Sequence, residues 1–125
     1  METSYVIWIK TQFEGWHKWE TAPDHRKYLS HVHRHLFKVK VTAIVAHKHR
    51  QLEFHDLKLM TDQIIKTDLG KCKNPDFEAT WSCEEMAMII GSALKGMSID
   101  VESVSVSEDG ECGAIVRFLN DSRQR

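Results

Sequence analysis

The segment His35-Leu36-Phe37-Lys38-Val39-Lys40-Val41-Thr42-Ala43-Ile44-Val45-Ala46-His47 alternates along most of its length. Phe37, Val39, Val41, Ala43 and Val45 take one face, and Lys38, Lys40 and Thr42 take the other. Successive side chains of a strand point to opposite faces, so the pattern predicts a long strand with one buried side. Toward the N-terminus, Ser4 to Phe13 follows the same rule. Tyr5, Ile7, Ile9 and Phe13 face one way, Lys10 and Gln12 the other, and a second half-buried strand is expected. Thr21-Ala22-Pro23-Asp24, between the two, reads as a loop.

Downstream, Leu52-Glu53-Phe54 reads as a short extended piece that leads into a helix. Asp56 suits the helix start, and Leu57, Met60 and Ile64 recur at helical spacing. Asp68 to Thr80 contains Gly70, Asn74 and Pro75, has no period and reads as a loop. Ser82 and Glu85 have the spacing of a capping box. Behind them Met86, Ile89, Ile90, Ala93, Leu94 and Met97 trace the apolar face of a second helix, with Gly96 as its stop.

The chain closes with two more strands. Val104 and Val106 alternate with serines, and Ala114, Val116 and Phe118 alternate with Ile115, Arg117 and Leu119. The Asp109-Gly110 turn between them signals a hairpin, with a loop longer than two residues. The order is ββααββ. It predicts an α+β fold, a four-stranded antiparallel sheet with two helices on one face, built as one domain over residues 1–125. Such a sheet has two open edges, and open edges favour a homo-oligomer joined through them.

Composition narrows the function classes. Seventeen basic residues stand against eighteen acidic ones, for a formal net charge of -1, so no basic balance points to nucleic acid. The longest apolar stretches, such as Met86 to Ile90, are too short to span a bilayer, and no membrane association is expected. Met1-Glu2-Thr3-Ser4 has no basic region followed by an apolar run and reads as no signal peptide. Three widely spaced cysteines, Cys72, Cys83 and Cys112, suggest neither a disulfide framework nor a CxxC metal site, and free thiols fit a cytoplasmic location.

The unusual number is eight histidines, seven of them from His17 to His49. In His31-Val32-His33-Arg34-His35-Leu36-Phe37, a strand would put His31, His33 and His35 on one face, continuous with the buried Phe37 face. Two imidazoles at i and i+2 can converge on one metal ion. A catalytic zinc site takes three protein ligands and keeps a fourth position open. His17 follows the first strand and comes close to the start of the second if the two pair antiparallel. Spacing alone leaves open whether His31 and His33 or His33 and His35 form the ligating pair.

These residues resemble the 6-pyruvoyl-tetrahydropterin synthases and their 6-carboxy-tetrahydropterin synthase relatives. Phe13-Glu14-Gly15-Trp16-His17 is similar to the context of that family's first zinc histidine, and His33-Arg34-His35-Leu36-Phe37 to its HGHNY element. Glu53-Phe54-His55-Asp56-Leu57-Lys58 and Trp81-Ser82-Cys83-Glu84-Glu85-Met86-Ala87 resemble its later motifs. The resemblance implies the T-fold, His17, His33 and His35 as ligands of Zn2+, and Glu108 as the carboxylate that binds a pterin ring. It also implies a homo-oligomer, a trimer or hexamer, with sites built between subunits.

Two departures stand out. Leu29 occupies the position of the family's catalytic cysteine, and Asp68 to Thr80 holds no counterpart of its Asp-His pair. Losing a general acid or base costs about 10²–10⁴ in rate. His31, one strand repeat from the ligands, is the substitute that sequence offers for the catalytic role. The expected function is a zinc-dependent enzyme acting on a pterin of the dihydroneopterin triphosphate type or a related purine-like compound. The alternative is a zinc- and pterin- or nucleotide-binding module without synthase turnover, and the third option is a structural oligomer whose histidines serve packing.

Overall fold

The computed structural model describes residues 2–119. Strand β1 (Tyr5–His17) pairs antiparallel with β2 (His33–Val45), β2 with β3 (Val101–Glu108), and β3 with β4 (Cys112–Arg117). The four strands lie side by side in chain order. Helices α1 (Phe54–Asp68) and α2 (Cys83–Gly96) sit between β2 and β3 in sequence. The four-stranded antiparallel sheet with two helices agrees with the sequence expectation.

Alternation builds the core as expected. Phe37, Val39, Val41, Val104 and Val106 are almost completely buried beneath Leu57 of α1 and Met86, Ile90 and Leu94 of α2. Fully burying one such side chain contributes about 1.5–3 kcal/mol. Lys10, Lys38 and Lys40 occupy the opposite, exposed face, where Lys10 and Lys40 lie over the Trp8 ring. Strands β1 and β4 form the two sheet edges.

Several boundaries differ from the sequence reading. β1 runs on past Phe13 to His17, and β2 begins at His33 and ends at Val45, so both strands carry the histidines inside the sheet. Helix α1 begins at Phe54, because Glu53 caps it by accepting from the His55 N–H at 3.2 Å, and Asp56 falls in the first turn. The segment between the helices contains two short 3₁₀ turns, Gly70–Lys73 and Pro75–Phe77, the first of which buries Cys72. Met97, expected on the apolar face of α2, is exposed just past its end, and a 3₁₀ segment, Asp24–Ser30, follows the loop after β1. The Ser82–Glu85 capping box opens α2, and Phe118 is buried after β4. No helix among the described residues is long and apolar enough to cross a membrane.

Candidate metal centre

Sheet register assembles the site. His17 stands directly opposite His33, and Gly15 opposite His35. His33 and His35 are two residues apart on β2, so their side chains share the face on which His17 lies. On the other side of β2, Glu108 at the end of β3 stands opposite Phe37. Three strands therefore deliver His17, His33, His35 and Glu108 to one end of the buried face. Each offers one ligand atom, and these four atoms lie within 4.8 Å of one another. The fully buried Phe37 lies beside them, its ring centroid 5.1 Å from that of His17 and 5.8 Å from that of His35.

Each imidazole is oriented by a second contact. His17 donates its Nδ1–H to the Trp81 carbonyl at 2.8 Å, and His33 donates its own to the His31 carbonyl at 2.9 Å. His35 Nδ1 is 2.8 Å from Asp109 Oδ2. Carbonyls and carboxylates only accept, so each Nδ1 carries a proton where it faces them, and the opposite ring nitrogen, Nε2, is turned away from that partner. Metal-ligating histidines have this outer arrangement. The residues present thus fit a metal such as zinc in donor type, tautomer and convergence. Burial, together with the neighbouring His17 and His35, holds the His33 pKa below its ordinary value, which favours the neutral ring.

Asp109 owes its position to an uncommon backbone. It has φ +58°, and Gly110 follows with φ +76°. Aspartate tolerates this left-handed region better than most residues. The turn is tied to β2 twice, through Asp109 N–H to the Leu36 carbonyl at 2.8 Å and Leu36 N–H to Asp109 Oδ1 at 2.9 Å. The second carboxylate oxygen is left to His35. The Leu36 amide first, and the His35 ring second, hold the Asp109 carboxyl below the usual carboxylate range.

A cavity of about 590 Å³ opens beside the histidines, the size of an ordinary small-molecule site. His17, His33 and Glu108 form one wall, and Trp19, Trp81 and the start of α2 form others. Leu29 also lines it, so the position of the resembled family's cysteine faces the cavity and carries an inert side chain. Cys83 and Cys112, which sequence spacing gave no reason to place here, line it too. Cys83 is no ready replacement nucleophile, because burial first, then the carboxylates of Glu108 and Glu84, pushes its thiol up to about 12. Cys72 is buried elsewhere, against Gly15.

His31 departs from the shared-face expectation. It precedes β2, its side chain is exposed, and what it gives the cluster is its main-chain carbonyl. Glu108 reaches the histidines of its own chain, with Oε2 2.6 Å from His35 Nε2 and 3.2 Å from His17 Nε2.

Comparison with known proteins agrees at the level of the fold. No family model matches the chain, and no curated protein matches it. Among solved structures, 6-pyruvoyl tetrahydropterin synthase of Caenorhabditis elegans aligns with a TM-score of 0.67 at 17% identity, covering 94% of this chain and 97% of that one. An uncharacterized protein of Wolinella succinogenes aligns with a TM-score of 0.68 at 16% identity, covering 94% of this chain and 100% of that one. The chain therefore has, over nearly its whole length, the fold of a tetrahydropterin synthase, as its histidine motifs led one to expect.

Proposed function

We propose that the chain is a zinc-dependent, tetrahydropterin synthase-like enzyme acting on a pterin or a related purine-like compound. The observation that carries this reading is the convergence of one ligand atom from each of three histidines, each ring with its Nδ1 beside a separate acceptor, next to a cavity of heterocycle size. His17, His33 and His35 would hold the ion. Zinc there would supply Lewis acidity, polarising a hydroxyl or carbonyl of the substrate side chain. The chain's own residues do the rest. Trp19 and Trp81 offer apolar walls to a flat ring, and Glu108 offers a carboxylate that can accept from adjacent ring N–H groups. The two sheet edges support assembly into a homo-oligomer, a trimer or hexamer by resemblance.

A second reading is a binding module that captures the heterocycle without turnover. Leu29 at the cavity wall and the unreactive Cys83 thiol favour it, since neither supplies a nucleophile or a base. Metal content separates both readings from a purely structural role. Wild type should hold close to one zinc per chain, His33→Ala should lose it and His31→Ala should keep it. A wild-type chain that takes up no zinc on reconstitution sinks the proposal. Incubation of the loaded protein with dihydroneopterin triphosphate then separates enzyme from module, as turnover or as binding without product.

A further inference from the structure

The face of the sheet turned away from the helices carries lysines whose charge the described residues leave unmatched. Lys10 of β1 stands directly opposite Lys40 of β2, and Lys38 stands two residues before Lys40 on the same strand. All three are exposed. Like charges directly opposed across an antiparallel pair are destabilising, so this register costs stability that a neutral side chain at either position would spare. Lys10 and Lys40 lie over the Trp8 ring, 5.5 and 5.1 Å from its centroid. None of the three forms an ion pair among the described residues. Further along the same face of β1, Glu14 is already paired with Arg34 at 3.5 Å.

These lysines line a second cavity, of about 680 Å³, together with Gln12, Ser105 and Ser107. Among the described residues that line it there is no carboxylate and no aromatic ring. Lys58 reaches it as well, but its ammonium is held by Asp62 at 3.0 Å. Lys38 lies along the turn between β3 and β4. Its Nζ is 3.4 Å from where a side chain on Gly110 would begin, so the glycine leaves the ammonium room.

We propose that this cavity binds a free oligophosphate anion, of which inorganic triphosphate is the simplest probe. Three unpaired ammonium groups call for an anion of comparable charge, and a single phosphate group carries only about -1.5 to -2 at pH 7. Linked phosphates carry more. They also extend along the strand, where residues two apart, such as Lys38 and Lys40, are separated by about 6.4–6.8 Å. Lysine binds phosphate as a point charge on a flexible stem, and the serine hydroxyls and the Gln12 amide add neutral donors. A nucleotide gains nothing from its base here, because no ring lines the cavity and two lysines already lie over Trp8. The cavity is on the opposite face of the sheet from His17, His33 and His35 and uses none of the residues of the metal centre.

The test is calorimetric titration of the full-length chain with sodium triphosphate, with and without a metal chelator. Saturable binding, equal in both, is expected. Lys38→Gln and Lys40→Gln should each weaken it about tenfold or more, the loss of one charge-assisted contact, whereas Lys66→Gln on α1 should leave it unchanged. Orthophosphate should bind more weakly than triphosphate, and ATP no more tightly. Several results overturn the proposal: no saturable binding by wild type, binding that disappears with the chelator, orthophosphate bound as tightly as triphosphate, or equal losses in Lys66→Gln and Lys40→Gln. ATP bound more tightly than inorganic triphosphate overturns the assignment to a bare oligophosphate. The wild-type arms are decisive even if a variant fails to fold, and they stand whether or not the chain takes up zinc.

Discussion

Replacing Asp109 tests whether the histidines are held ready for a metal or merely lie close together. Its two carboxylate oxygens are both committed, Oδ1 to the Leu36 amide at 2.9 Å and Oδ2 to His35 Nδ1 at 2.8 Å. Asparagine tolerates the left-handed backbone at φ +58° as well as aspartate does, so Asp109→Asn preserves the turn. It has one acceptor oxygen where the native residue has two, and its amide group is a donor. Either the Leu36 amide or the His35 ring must lose its partner. If the amide keeps the oxygen, His35 Nδ1 faces an N–H and its proton is driven to Nε2, the atom that should bind the metal. Disturbing an outer-shell partner of this kind costs about 10–100-fold in metal affinity. Asp109→Ala removes both contacts and should lie at the upper end of that range. The assay is zinc competition against a chromophoric chelator at pH 7.5, with thermal unfolding of the metal-free chains measured in parallel. Wild-type zinc affinity in folded Asp109→Asn would refute the claim that this carboxylate sets the His35 tautomer.

Other outcomes follow from the same geometry. Chelation of the metal should lower the unfolding temperature of wild type and leave His33→Ala unmoved, because a ligand bound only by the folded state stabilises it. Ser82→Ala removes the cap that accepts the Glu85 amide at 3.1 Å and should cost about 0.5–2 kcal/mol in denaturant unfolding, without changing zinc stoichiometry. Gly91→Ala would place a Cβ 2.1 Å from Phe118 Cζ, and overpacking of this kind should destabilise by about 1–3 kcal/mol, with a normal melting curve counting against the packing described. In the metal-free protein, burial lowers the His33 pKa below its unfolded value of about 6.5. Between the two values the unfolded chain binds a proton that the folded chain does not. This contribution to stability is therefore complete above about pH 6.5 and falls as pH drops toward the folded pKa. His33→Gln should flatten that part of the pH profile, and an unchanged slope would show that other groups produce it.

Much of the fold could be read from β2 and the residues that pair with it, because one buried sheet face imposes a period of two. The ends of the strands were harder. Gly15 lacks a side chain, so β1 loses its apolar alternation where it reaches the site, although the backbone ladder continues to His17. The start of α1 was misplaced because Glu53 and Asp56 are both acceptable near a helix N-terminus, and only the observed hydrogen bond decides between them. The histidine triad was legible as an HxH pair plus one. Asp109 was not, because its role depends on a positive φ and a contact 74 residues away in sequence. Cys83 and Cys112 joined the cavity through packing between α2 and the β3–β4 hairpin, which no local spacing announces.

Two of the three histidines are aimed by main-chain carbonyls, those of Trp81 and His31. A carbonyl is present whatever side chain its residue carries. Substitution at either position therefore leaves the hydrogen bond available, and selection on the orientation of these rings acts on the path of the chain rather than on residue identity. Only His35 depends on an outer partner that a single base change can remove. Sequence drift in such a protein can erase most of its outward likeness to relatives while the centre stays in order, provided that the loop before α2 and the entry to β2 keep their course.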